Sequence, residues 1–142
     1  MLVRLLYASR AVATTSAAAL DGILEQSRKN NAAQGITGLL CVSGDLFMQL
    51  LEGGRDEVCE LYNAITRDDR HRHVRLLSYE EITERNFGAW TMGQVNIAKI
   101  NPALTLKYFR RVELDPFNCS GQATMALLHE LVATASIVNR GD

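Results

Sequence analysis

The sequence predicts an α+β fold of the ferredoxin-like type, a β-α-β-β-α-β-β sandwich with a C-terminal helical extension. Three observations carry this. Residues 35–52, GITGLLCVSGDLFMQLLE, read as two strands closed by a Ser43-Gly44-Asp45 turn. Helical apolar periodicity flanks that hairpin on both sides. Shorter alternating segments stand at the start of the chain and after the second helix, which supplies the outer strands.

In chain order, Leu2 to Ser9 alternates with Val3, Leu5 and Tyr7 on one face, a first strand. Thr14, Thr15 and Ser16 offer an N-cap to a helix over 17–30, whose Leu20, Ile23 and Leu24 should face the sheet. The same stripe continues to Ser27 and Asn31, so it turns polar where the helix stops. In the second hairpin strand Phe47, Gln49 and Leu51 share a face. Gly53-Gly54 permits a sharp turn into a helix at about 56–67 with the stripe Val58, Leu61, Tyr62, Ile65. Val74 to Tyr79 and Trp90 to Val95 read as the fourth and fifth strands, with Trp90 and Met92 on one face of the latter. Asn101-Pro102 opens a short helix to about Arg110. Gly121 to Asn139 forms a last helix with Leu127, Leu128, Leu131, Val132 and Ala135 on one side. Residues 1–97 are thus expected as the sandwich domain. Residues 98–142 are expected as a helical segment that covers the open sheet face or pairs with another subunit.

Composition excludes several classes. The chain has 142 residues, 47% hydrophobic and 22% charged, with net charge -1, so no basic field is available for nucleic acid. Arg4 interrupts the apolar start, which argues against a secretory signal, and no apolar run approaches the ~20 residues of a membrane span. Three cysteines without CxxC spacing fit free thiols in a reducing compartment, so a cytoplasmic protein is expected. His71 and His73 lack a third ligand for a metal. His129 reads as a surface residue of the last helix.

The informative anomaly is polar residues on apolar faces. Gln49 lies between Phe47 and Leu51, and Tyr7 continues the face of Val3 and Leu5. In this topology their strands are central neighbours, with the first helix above them, so a phenol, two carboxamides and a serine hydroxyl converge. A buried amide without partners costs about 1–3 kcal/mol. Two readings stand open: a polar network stitching helix to sheet, and a pocket for a flat heteroaromatic ring with an imide edge, for which carboxamides both donate and accept.

LLYAS around Tyr7, NNAAQGITGLL (30–40), FMQLLEG (47–53), DDRHRH (68–73) and FGAWTMG (87–93) together resemble the BLUF domain, a sensor of blue light using flavin. The resemblance runs in register over about residues 1–96, and the tail is similar to that of the short stand-alone members. It implies a flavin between the two helices. FAD is the expected form; Ala64 stands where some members carry a phosphate-contacting Arg, so FMN and riboflavin are admissible too. The resemblance also implies that Asn31 bonds the pyrimidine end and that Gln49 bridges Tyr7 to the ring. Ile23 and Ile65 would sandwich the ring, Ser27 would join the Trp or amide network, and Asp68, Arg70 and His71 would lie near the ribityl chain and phosphate. Light would drive an electron and then a proton from Tyr7 to the flavin and leave Gln49 with a changed hydrogen-bond pattern. Trp90 or Met92 would read out that change.

The implied protein is a switch and not an enzyme, reporting through its helical tail to a downstream effector in trans and as a homo-oligomer. An acylphosphatase-like hydrolase on this fold needs an Arg cradle after the first strand, where Ser9-Arg10 offers one Arg. The remaining alternative is a ferredoxin-like ligand-binding or oligomerisation module without flavin.

Overall fold

The computed structural model describes residues 1–12 and 17–133; within these, the side chains of 17–21, 23, 24 and 98 are outside the description. The expected cap at Thr14–Ser16, the side chains of Leu20, Ile23 and Leu24, and the last helix beyond Ala133, including Ala135, therefore lie outside the described residues. The elements run β1 (Leu2–Ala11), α1 (Ala17–Ala33), β2 (Thr37–Ser43), β3 (Leu46–Gly54), α2 (Arg55–Thr66), β4 (His71–Ile82), β5 (Gly93–Asn96), α3 (Pro102–Tyr108) and α4 (Gly121–Ala133).

One sheet of order β4-β1-β3-β2-β5 results. β1 is antiparallel to both β3 and β4, β2 is antiparallel to β3, and β5 lies parallel to β2. Both β-α-β crossovers, through α1 and α2, skip one strand, and right-handed connections place both helices on the same face. This is the expected ferredoxin-like arrangement with one added edge strand.

Alternation along the strands divides the core in two. Val3, Leu5, Tyr7, Phe47 and Leu51 pack with Val58, Leu61, Tyr62 and Ile65 of α2. Leu6, Ala8, Met48 and Leu50 point the other way, onto Phe109 and onto Met125, Leu127, Leu128 and Leu131 of α4. The helical segment thus covers the second sheet face. Asn101 caps α3 by accepting from the Ala103 N–H, with Pro102 at the first helical position.

Two strands differ from expectation. β4 is twice as long as the apolar pattern suggested, because it pairs along almost all of β1 while its charged residues face solvent. Two register shifts bend that pairing, and beside one of them His73 adopts a left-handed φ of 53°. β5 begins only at Gly93. Residues before it turn, with the Trp90 N–H on the Phe87 carbonyl, so two-residue alternation does not apply there. Trp90 and Met92 consequently do not share a face: Trp90 belongs to the core under α4, and Met92 to the core under α2.

Candidate functional site

Gln49 sits mid-way along the central strand β3, with Tyr7 directly opposite on β1 and Leu40 opposite on β2. The Tyr7 hydroxyl donates to Gln49 Oε1 at 2.6 Å, both side chains being buried. Burial, and secondarily the neighbouring Tyr62 and Asp68, push the Tyr7 phenol well above its ordinary pKa, so it keeps its proton and remains the donor. With Oε1 engaged, the Gln49 amide presents its N–H groups elsewhere, and Nε2 lies 3.6 Å from Met92 Sδ, a weak acceptor. Tyr62 of α2 tilts onto the Tyr7 ring at 5.7 Å between centroids.

Asn31, in the last turn of α1, is 3% exposed. Its backbone carbonyl accepts from the Gln34 and Ile36 N–H groups, which closes the helix end. Its side-chain Nδ2 has no hydrogen-bond partner among the described residues. An orphaned buried donor is costly, and a flavin ring, rich in carbonyl and imine acceptors along its pyrimidine edge, fits that vacancy in the hydrogen-bonding pattern. The uncharged partners Tyr7, Gln49 and Asn31 suit a neutral ring as well.

The other expected positions are distributed more widely. Ile65 is half-buried against the α2-side core, and Ser27 is half-buried on α1. Asp68 and Arg70 form a bidentate pair at the exposed corner after α2, Arg70 Nη2 donating to Asp68 Oδ2 at 2.6 Å. That pair pulls the Asp68 carboxyl down to about 2. Arg70 is 80% exposed, so the structure does not bring it to the Tyr7–Gln49 pair, whereas the Asp68 charge reaches Tyr7. His71 pairs its Nδ1 with the Ser9 hydroxyl at 2.8 Å and stands edge-on to Phe47; burial lowers its pKa. Cys41 is packed in the core, its thiol pushed up to about 12 by burial. No cluster of three potential metal ligands occurs among the described residues.

Two features escaped the sequence reading. Arg28 of α1 donates from Nε to the Met92 carbonyl at 3.1 Å; its spacing of three from Asn31 was the available signal, because such residues share a helix face. On the opposite sheet face, Glu52 is wholly buried and accepts from Arg4 Nε at 2.7 Å and from the Asn86 and Phe87 N–H groups. His129 is half-buried and stacks on the Phe87 ring at 5.1 Å, which corrects its reading as a surface residue. The helix turns that side chain toward the sheet rather than to solvent.

Comparison with known proteins agrees with this geometry. The profile of the BLUF family, "Sensors of blue-light using FAD", matches residues 2–93. The chain is 37% identical over 92 residues to the photoactivated adenylate cyclase subunit beta of Euglena gracilis, 64% of this chain but 11% of that protein's length. Among solved structures it resembles BlsA in its photo-activated state, with TM-score 0.79 and 28% identity over 93% of this chain and 95% of the other. It also resembles the BLUF protein BlrB in its dark state, with TM-score 0.74 and 34% identity over 94% and 96%. No described helix is long and apolar enough to cross a membrane. BLUF domains signal to downstream effectors, in some proteins fused to the same chain. The chain belongs to the BLUF family, a flavin-binding blue-light photoreceptor domain.

Proposed function

We propose that Tyr7, Gln49 and Met92 form the photoactive relay of this sensor and that Asn31 holds the pyrimidine edge of its FAD. The observation that carries the reading is the continuous buried chain from Tyr7 hydroxyl to Gln49 amide to Met92 thioether. When bound, the flavin supplies blue-light absorption and a one-electron acceptor. Tyr7 is oxidisable, and an oxidised phenol is strongly acidic, so its proton leaves along the 2.6 Å bond it already makes to Gln49 Oε1. Gln49 combines donor and acceptor in one planar group; rotation, tautomerisation or both leave it with a different bonding pattern once Tyr7 regains its electron and proton. Met92 feels that change first, because its Sδ faces Nε2. Trp90, on the other face of the sheet, senses the same segment from the α4 side. Ile65 would wall the ring, Ser27 would support the amide network, and Asp68, Arg70 and His71 would lie toward the ribityl phosphate.

In this reading residues 1–97 are the sensor and 98–142 the coupling unit. Leu106 and Val112, exposed within the coupling unit, offer apolar surface to an effector in trans or to a second copy in a homo-oligomer. The protein acts in the cytoplasm without contacting nucleic acid.

The test is the visible spectrum of the purified, flavin-loaded protein before and after a blue flash. A small red shift that relaxes in darkness is expected, and Tyr7→Phe and Gln49→Leu should each abolish it. Flavin uptake with an unchanged red shift in both variants would overturn the assigned relay.

A further inference from the structure

We propose that Arg28 is a positioning residue of the photoswitch: its Nε–H, bound to the Met92 carbonyl, holds the Met92 thioether against Gln49. This rests on the relay proposed above. Met92 ends a segment without regular structure, and its side chain is fully buried, so its orientation depends on what fixes its backbone. On the β-sheet side the ladder to β2 begins only at Gly93, opposite Leu39. On the helix side the Arg28 Nε–H meets the Met92 carbonyl at 3.1 Å. A charged donor on a buried carbonyl makes one of the stronger neutral-acceptor bonds. The Gly38 N–H holds the Trp90 carbonyl at 3.0 Å, so the two residues are pinned from opposite sides, Trp90 by β2 and Met92 by α1.

The placement has a consequence for the site. Arg28 and Asn31 lie one turn apart on α1, so the helix that presents Asn31 to the ring also grips the segment that presents Met92 to Gln49. The flavin-binding helix and the read-out residue thereby move as one body. Losing the tether lets Met92 leave Gln49 more often, which lowers the barrier to rebuilding the dark hydrogen-bond pattern.

Chemistry distinguishes this bond from a general role of the charge. Glutamine carries its Nε2 as many bonds from Cα as arginine carries Nε, so Arg28→Gln keeps an N–H at the critical place and loses the charge and every other guanidinium contact. Arg28→Met keeps the apolar stem and loses the N–H.

The experiment uses the flavin-loaded chain with carbon-13 methyl-labelled methionine. The chain has four methionines and Arg28→Met adds a fifth, so the Met92 signal is assigned with Met92→Leu in both the wild-type and the Arg28→Met background. In the dark, Arg28→Met should shift or broaden the Met92 methyl resonance and leave Met48 and Met125 in place, while Arg28→Gln keeps the wild-type signal. After a flash, Arg28→Met should recover faster, by roughly two- to tenfold, the value of one hydrogen bond, and Arg28→Gln at close to the wild-type rate. A Met92 signal unchanged in Arg28→Met, or equally changed in Arg28→Gln, overturns the proposal. Should Arg28→Met fail to fold, the wild-type chain decides: the Arg28 Nε–H should exchange with solvent more slowly than that of the exposed Arg110, and equal exchange overturns the tether. The dark methyl spectra and the exchange rates need no photochemistry. A failure of the relay reading, seen as absence of a light-induced shift, is therefore distinct from a failure of the tether.

Discussion

Replacing Glu52 by Ala tests how much of this fold hangs on one buried charge. Glu52 is 0% exposed and Arg4 5% exposed, with Arg4 Nε at 2.7 Å from the carboxylate. The same carboxylate accepts from the Phe87 N–H at 2.6 Å and the Asn86 N–H at 3.1 Å. Among the described residues, removing it leaves the guanidinium Glu80, whose side chain is 47% exposed and reached at 2.8 Å, and the face of the Phe87 ring at 5.7 Å. Breaking a buried pair from one side costs about 3–5 kcal/mol, because the remaining charge stays out of water. Each kcal/mol lowers Tm by about 2–4 °C in a domain of this size, so a fall of about 10 °C is expected by circular dichroism at fixed flavin concentration. Arg70→Ala, at an exposed pair, should cost at most about 1 kcal/mol. The double replacement Arg4→Met with Glu52→Leu should recover part of the loss but not all, since the Asn86 and Phe87 N–H groups lose their acceptor. A Glu52→Ala protein no less stable than Arg70→Ala would refute the claim that burial sets the magnitude.

Backbone approach and histidine burial give two further expectations. Gly38 has φ of +153°, and a Cβ there would land on the Leu50 carbonyl oxygen. Gly38→Ala should therefore lose about 3 kcal/mol or more, read as lost soluble yield or a collapsed urea midpoint; a variant of wild-type stability would sink the argument. Burial depresses the pKa of both His71 and His129 below the ordinary 6.5. The unfolded chain then takes up protons first. Stability is full above about pH 6.5 and is lost as pH falls through the lower folded values. Thermal unfolding followed between about pH 7.5 and 5 should show this fall, and His71→Gln and His129→Gln should each flatten it. A slope unchanged from wild type in both variants would contradict it.

Much of the molecule was legible in the chain because local rules govern it. The hairpin turn at Ser43-Gly44-Asp45, the stripe Val58, Leu61, Tyr62, Ile65 and the Asn101-Pro102 helix start each depend on a few neighbouring residues. Gln49 announced itself as a polar group on an apolar strand face, and Tyr7 and Asn31 as polar ends of apolar stripes. The strand order then set the Tyr7 and Gln49 side chains on adjacent strands.

The fifth strand shows where that reasoning stops. Alternation put Trp90 and Met92 on one side, but a turn at Phe87–Trp90 rotates the chain before pairing begins. The two residues ended on opposite faces of the sheet, and only Met92 meets Gln49. β4 outran its apolar pattern because backbone pairing to β1, which any residue provides, extended it through charged positions.

The sequence by itself determined the elements, their order and the polar trio Tyr7, Asn31 and Gln49, since periodicity, turn chemistry and residue type are local properties. Tertiary structure alone decided the partners. Arg28 reaches Met92 across 64 positions and Glu52 reaches Asn86 and Phe87 across more than 30. Such contacts arise from how the packed sheet brings distant segments together, and no pattern along the chain encodes a distance in space.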